Sequence, residues 1–189
     1  EEAIKAYKKS ISLKPDFVEA HNNMGVALNK QGDLEKAMDF YKKCISLQPV
    51  YAKGYYNMGN ALRDQLKLDE AIEYYNKSIS LRPNYVEAYK NMGNVLQDKC
   101  RFEDALEAYK KTLLFLPNDA GTYNNIGTTY QKMGKHEEAE SNFRQAILIK
   151  PDFAEPHPNL SFTLLSNGKI KEGLEEFEWR WKTSKFLTQ

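Results

Sequence analysis

The chain has 189 residues, 41% of them hydrophobic and 28% charged, which is too apolar and aromatic for a disordered segment and enough for one ordinary domain. Its 27 basic and 26 acidic residues leave a net charge of +1, without the basic excess on which nucleic-acid binding rests. No apolar run approaches the roughly 18 residues of a membrane span, and Cys44 and Cys100 form no CxxC pair, so membrane insertion and a disulfide or zinc framework are not expected.

Taken in order, the chain repeats itself. Pro15, Pro49, Pro83, Pro117 and Pro151 recur every 34 residues, and so do Asn23, Asn57, Asn91, Asn125 and Asn159. A fixed period between 20 and 50 residues signals stacked supersecondary units. With the proline set at position 32, residues 1–17 form the second half of a unit and full units span 18–51, 52–85, 86–119 and 120–153. An incomplete terminal unit or cap covers 154–189. Glu1 falls inside a repeat, which predicts that the sequence is a piece of something longer.

Within a unit, apolar and small residues fall at helical spacings over Val18–Lys30 and again over Leu34–Leu47, with Gly32 and Asp33 punctuating between them. Each unit therefore predicts two antiparallel helices, A and B. Asp16 with Glu19, and Asp152 with Glu155, read as capped helix starts. Position 8 (Gly25, Gly59, Gly93, Gly127, Ser161) is expected to face position 20 (Ala37, Ala71, Ala105, Ala139, Gly173), small against small. The aromatic at position 24 (Tyr41, Tyr75, Tyr109, Phe143, Phe177) is expected to fill the space to the next unit. Pro at position 32 ends helix B. Pro156 suits a first helical turn, whereas Pro158 is expected to delay or distort the last helix A. Trp179 and Trp181 depart from the pattern and read as a terminal cap or as packing for a further domain.

These registers resemble the tetratricopeptide repeat family over essentially the whole chain. The resemblance implies an all-α, right-handed α-solenoid of antiparallel helix pairs, with helix A lining a concave face. It also implies a scaffold that binds protein partners. The run EGLEEFEWRWK looks like the closing repeat of bacterial members that carry a glycosyltransferase-like domain, which implies an alternative role in presenting substrate to such a domain.

On the helix-A face, position 6 is Asn five times out of five, although a helix interior does not favour Asn. A carboxamide offers an acceptor and two donors. The series Asn23, Asn57, Asn91, Asn125 and Asn159 is similar to the asparagine ladder of O-GlcNAc transferase, which implies sequence-tolerant binding of an extended peptide. The residues themselves leave a second reading open, in which the asparagines are struts between repeats. Asn60 and Asn94 at position 9, Lys90 and Tyr56 at position 5, and Arg63 complete the candidate peptide-binding set. Tyr56 is expected to be exposed there as an aromatic anchor. A carboxylate clamp is not expected: Lys90, Asn94 and Asn125 match its first half, but Glu155 and Asn159 reverse the charge of its second.

The sequence has no Gly-rich phosphate loop, HExxH, GxSxG or EF-hand pattern. His21, His136 and His157 read as aromatic substitutes or turn residues, and Cys44 as buried core. No enzymatic activity, catalytic residue, metal or cofactor is expected of this chain. Expected instead are an unidentified protein or peptide partner, a cytoplasmic location, and the possibility of head-to-tail self-association through unpaired repeat faces.

Overall fold

The computed structural model describes residues 2–186, with side chains described as far as 179. The expectation for Trp181 lies outside the described side chains. Among the described residues the chain is all-α, and it divides into two compact units, Glu1–Val95 and Leu96–Gln189.

The first unit opens with α1 (Glu2–Leu13), followed by α2 (Val18–Lys30), α3 (Leu34–Leu47), α4 (Ala52–Asp64), α5 (Leu68–Leu81) and most of α6 (Val86–Asp98). Its core joins Met24, Leu28, Tyr41, Met58, Leu62, Tyr75 and Val95, with Ile4, Tyr7 and Ile11 of α1 packed against it. Neither α1 nor any single pair buries its own apolar stripe, so burial comes from neighbouring helices, as in any stacked repeat. The second unit contains α7 (Phe102–Phe115), α8 (Ala120–Lys132), α9 (His136–Ile149), α10 (Pro156–Ser166) and α11 (Ile170–Phe186). Phe143, Leu160 and Leu164 form a core there, with Ala139 beneath them.

The period-34 pattern places the helices where the sequence expects them, since α2 and α3 occupy Val18–Lys30 and Leu34–Leu47. Three-residue turns reverse the chain within each pair. The middle residue of the turn, position 15 of the repeat, has positive φ in all five pairs: Gly32 (82°), Leu66 (61°), Cys100 (57°), Gly134 (73°) and Gly168 (75°). Two of the five hold side chains in a region that costs L-residues roughly 1–2 kcal/mol.

Three local expectations change. Asp16 does not cap α2; its N-cap is Phe17, with no side-chain cap, because the helix starts one residue later than a capping Asp16 would require. Asp152 likewise caps nothing, since α10 begins at Pro156. The two prolines shorten α10 to 11 residues where the other A helices have 13. Finally, the glycine at position 8 faces an aromatic ring rather than a small residue. A Cβ on Gly59 would lie 2.7 Å from the Tyr75 ring, and one on Gly127 would lie 2.6 Å from Phe143. The glycine makes a seat for the ring of its own repeat. That is why Tyr41, Tyr75 and Phe143 are at most 2% exposed, each contributing the roughly 1.5–3 kcal/mol of a fully buried large side chain.

Position 27 ties each pair together in the first unit. Cys44 Sγ donates to the Val18 carbonyl at 3.3 Å, and Ser78 Oγ donates to the Ala52 carbonyl at 2.9 Å. Cys44 is fully buried, and that burial pushes its thiol up to about 12, so it is a packing group with a weak donor.

Candidate functional site

In the first unit the recurrent asparagines spend their donors on neighbouring repeats. Asn57 Nδ2 donates to Asn22 Oδ1 at 2.7 Å, and Asn22 Nδ2 donates in turn to Asn23 Oδ1 at 3.2 Å. Asn91 Nδ2 donates to Tyr56 Oη at 3.1 Å and to Asn60 Oδ1 at 2.8 Å. The second unit repeats the link, with Asn159 Nδ2 donating to Asn124 Oδ1 at 3.2 Å. One rule covers all three: position 6 of a repeat donates to position 5 of the repeat before it, 35 residues upstream. Asn57 is only 6% exposed and Asn22 fully buried, which suits a strut between helices. The other members of the series remain half-buried on the helix-A face.

Tyr56 differs from its expected role. It is half-buried, its ring lies 4.9 Å from Tyr85 and 6.2 Å from Tyr75, and its hydroxyl accepts from Asn91. It is a fixed wall of the face and not a freely exposed anchor. Arg63 is also engaged: its Nε and Nη2 donate to Asp64 Oδ1 at 3.1 and 2.8 Å. Burial works against its charge, and the Asp64 hydrogen bond together with Tyr75 and Tyr56 outweighs that, raising its pKa. Lys90 and Asn94 are half-buried on α6.

A second tie, which the sequence reading passed over, belongs to the second unit. Gln97 Nε2 donates to Thr129 Oγ1 at 2.6 Å and to the Asn125 carbonyl at 3.2 Å. Thirty-four residues on, Gln131 Nε2 donates to Thr163 Oγ1 at 2.8 Å and to the Asn159 carbonyl at 3.1 Å. Thr129 Oγ1 donates in turn to the Asn125 carbonyl, and Thr163 Oγ1 to the Asn159 carbonyl, both at 2.8 Å. The signal was present as a Gln at position 12 followed 32 residues later by a Thr at position 10. Asn29 and Arg63 occupy position 12 in the first unit, with Ala61 and Val95 at the following position 10, so the tie is confined to the later repeats.

Two of the three histidines are packed into the fold. His21 is buried, and its Nε2 bonds to the Pro15 carbonyl at 2.8 Å. His157 is buried too, with Nδ1 2.6 Å from Glu176 Oε2 and its ring stacked on Trp179 at 3.8 Å and 9°. Trp179 therefore packs on its own repeat. Among the described residues no group of three or more His, Cys, Asp or Glu could hold a metal ion, and no helix is long and apolar enough to cross a membrane.

The comparisons agree with this geometry. A family model described as "Tetratricopeptide repeat" matches residues 18–51, 52–85, 86–119 and 120–153, and one described as "TPR repeat" matches 1–32. A crystal structure of MamA is 30% identical, with a TM-score of 0.72, covering 78% of this chain and 86% of that one. MamA (41-end) from Desulfovibrio magneticus RS-1 shares the fold at a TM-score of 0.82 and 22% identity, covering 89% of this chain and 95% of that one. YrrB, described as a TPR protein with an unusual peptide-binding site, shares it at 0.76 and 22% identity, covering 93% and 90%. No curated protein sequence matches the chain.

Proposed function

The chain belongs to the tetratricopeptide repeat family, and from that premise we propose that it holds an extended segment of a partner protein against its helix-A face. The observation that carries the reading is the fixed orientation of the Asn57, Asn91 and Asn159 carboxamides. Tying Nδ2 to the preceding repeat orients the rest of each amide, so the acceptor of Asn91 is presented and not free to rotate. Preorganised polar groups bind with less loss of conformational entropy. Asn23, Asn57, Asn91, Asn125 and Asn159 supply the polar ladder in this reading. Asn60, Asn94, Lys90, Tyr56 and Arg63 supply selectivity beside it. A peptide-binding site in YrrB supports the reading by analogy of fold alone. The mixed charge of the chain suits a ligand recognised by its backbone more than by a block of one sign.

The test is fluorescence anisotropy with a panel of unrelated, extended peptides, each paired with a version N-methylated at alternate backbone nitrogens. Methylation removes ligand N–H donors and leaves the protein untouched. Broad binding that methylation weakens at least tenfold supports the reading. A panel that does not bind, or that binds equally well when methylated, overturns it. Asn57→Ala/Asn91→Ala/Asn125→Ala is a second arm, read beside its circular dichroism because the structure gives Asn57 and Asn91 strut duties too.

A further inference from the structure

We propose that the outer face of the last helix pair, α10 and α11, docks an amphipathic helix of a partner protein, one whose contact side is apolar. This face does not use the asparagine series. The earlier joints show which positions a repeat turns to its successor. Position 5 accepts from the next repeat's asparagine at Asn22, Tyr56 and Asn124, and position 9 does so at Asn60. Position 12 donates to the next repeat from Gln97 and Gln131. In the last repeat these three positions are Pro158, Phe162 and Leu165. None of the three side chains can donate or accept a hydrogen bond.

Helix α11 changes in the same sense. Glycine at position 8 seats the rings of Tyr41, Tyr75 and Phe143. In the last repeat that glycine is Ser161, whose Oγ donates to the Gly173 carbonyl at 2.7 Å, and Phe177 stands 43% exposed. Leu174 is 53% exposed at the position where Leu106 is buried, and Phe162 is 60% exposed. Pro158, Ser161, Phe162, Leu165 and Phe177 line a groove of about 170 Å³. Continuity with the stacked joints makes the occupant a helix, because a helix A lies over the same positions of the earlier pairs. Its chemistry differs from that of another repeat. An asparagine at position 6 would come down on Pro158 and Phe162 and be buried without a partner, which is unfavourable. Leu, Ile or Phe in its place would instead withdraw apolar surface from water. The exposed charges of α11, Lys171, Glu175 and Glu178, are of mixed sign, so the apolar match decides selection.

The test uses the full chain and a fluorescein-labelled helical peptide of about 16 residues, steadied by Glu–Lys pairs four apart. One side carries Leu at i, i+3, i+4 and i+7, and equal numbers of Glu and Lys leave the probe without net charge. A second probe has Asn in place of the two central leucines. By fluorescence anisotropy the leucine probe is expected to bind saturably, with a Kd at least about tenfold below that of the asparagine probe. Phe162→Ser/Leu174→Ser, at exposed positions, should weaken that binding about tenfold with unchanged circular dichroism. Leu114→Ser/Leu148→Ser, exposed elsewhere on the same unit, should leave it as it was. Absence of saturable binding, equal binding of the two probes, or equal loss from the two double variants overturns the proposal. So does self-association, seen by sedimentation, that Phe162→Ser/Leu174→Ser dissolves, because the occupant is then a second copy of the chain.

Discussion

Glu140 is where the repeat pattern and the charge pattern conflict. Met38, Ile72 and Leu106 hold its position in earlier repeats, yet Glu140 is 9% exposed. Its carboxylate accepts from Lys169 Nζ at 3.0 and 2.9 Å and from Arg144 Nε at 3.0 Å, and Arg144 also reaches Glu172 at 2.6 Å. Burial works to raise its pKa, and the hydrogen bonds from Lys169 and Arg144 outweigh burial and hold it below the ordinary carboxylate range. Lys169→Met removes the principal partner. A hydrogen bond to a charged group is worth about 1.5–3 kcal/mol. The Lys169 side chain is 46% exposed, so solvent screening reduces this to about 1–2 kcal/mol. For a chain of this size, 1 kcal/mol moves Tm by about 2–4 °C, which gives a drop of about 2–8 °C at neutral pH by thermal circular dichroism. Glu140→Leu/Lys169→Met, which restores an apolar residue, should regain the loss or exceed the parent. The pH dependence follows from the sign of the shift. A depressed folded-state pKa gives stability that is complete above the unfolded value, near the ordinary 4.5. It is lost as pH falls through the lower folded value. The gap between the parent and Lys169→Met should therefore close on the acid side. A drop below about 1 °C at neutral pH, or a gap that persists unchanged into acid, would refute the reasoning.

Gly127→Ala places a methyl 2.6 Å from the Phe143 ring and should cost about 1–3 kcal/mol by overpacking; Gly127→Ala/Phe143→Leu should recover part of it, read as denaturation midpoint. Asn22→Ala leaves Asn57 Nδ2 without its acceptor in a buried setting and should cost about 1–3 kcal/mol. Asn22→Ala/Asn57→Leu, which removes both partners of the bond, should recover part of the loss in the same assay. Leu66→Gly relieves a backbone held at φ 61° by an exposed side chain and should stabilise by up to about 1 kcal/mol, seen as a higher Tm.

Helix positions were legible because a 34-residue period and a 3.6-residue period are both one-dimensional, and the chain displays each several times over. Side-chain partnerships were legible only where both members recur as a type. Asn recurs at position 6, but its acceptor is Asn22, then Tyr56, then Asn124, so the sequence shows half of each link and the ladder looks ligand-facing throughout. The Gln97–Thr129 and Gln131–Thr163 ties do recur as a pair, offset by 32 residues, and a search across neighbouring repeats would have found them. The glycine seat was misjudged for a different reason. Small residues at positions 8 and 20 both mark close approach, and only the direction of the Tyr75 or Phe143 ring shows which approach is made. Asp16 and Asp152 failed as caps because each lies with its proline inside a turn, closed by Phe17 N–H on the Lys14 carbonyl and by Phe153 N–H on the Lys150 carbonyl, and the helix begins beyond that turn.

The link between position 6 and position 5 behaves like a coupling between interchangeable parts. Every repeat carries the same plug, an asparagine, while the socket it enters accepts chemistries as different as an amide and a phenol. A repeat copied, deleted or moved by recombination would thus arrive with a fitting that works beside almost any predecessor, and arrays of this type can change length without redesigning their joints. Lys90 and Pro158 mark the exceptions: both stand at position 5, and neither side chain offers an acceptor. A duplicated unit could follow a repeat that carries Asn22, Tyr56 or Asn124 at position 5 and find its acceptor there.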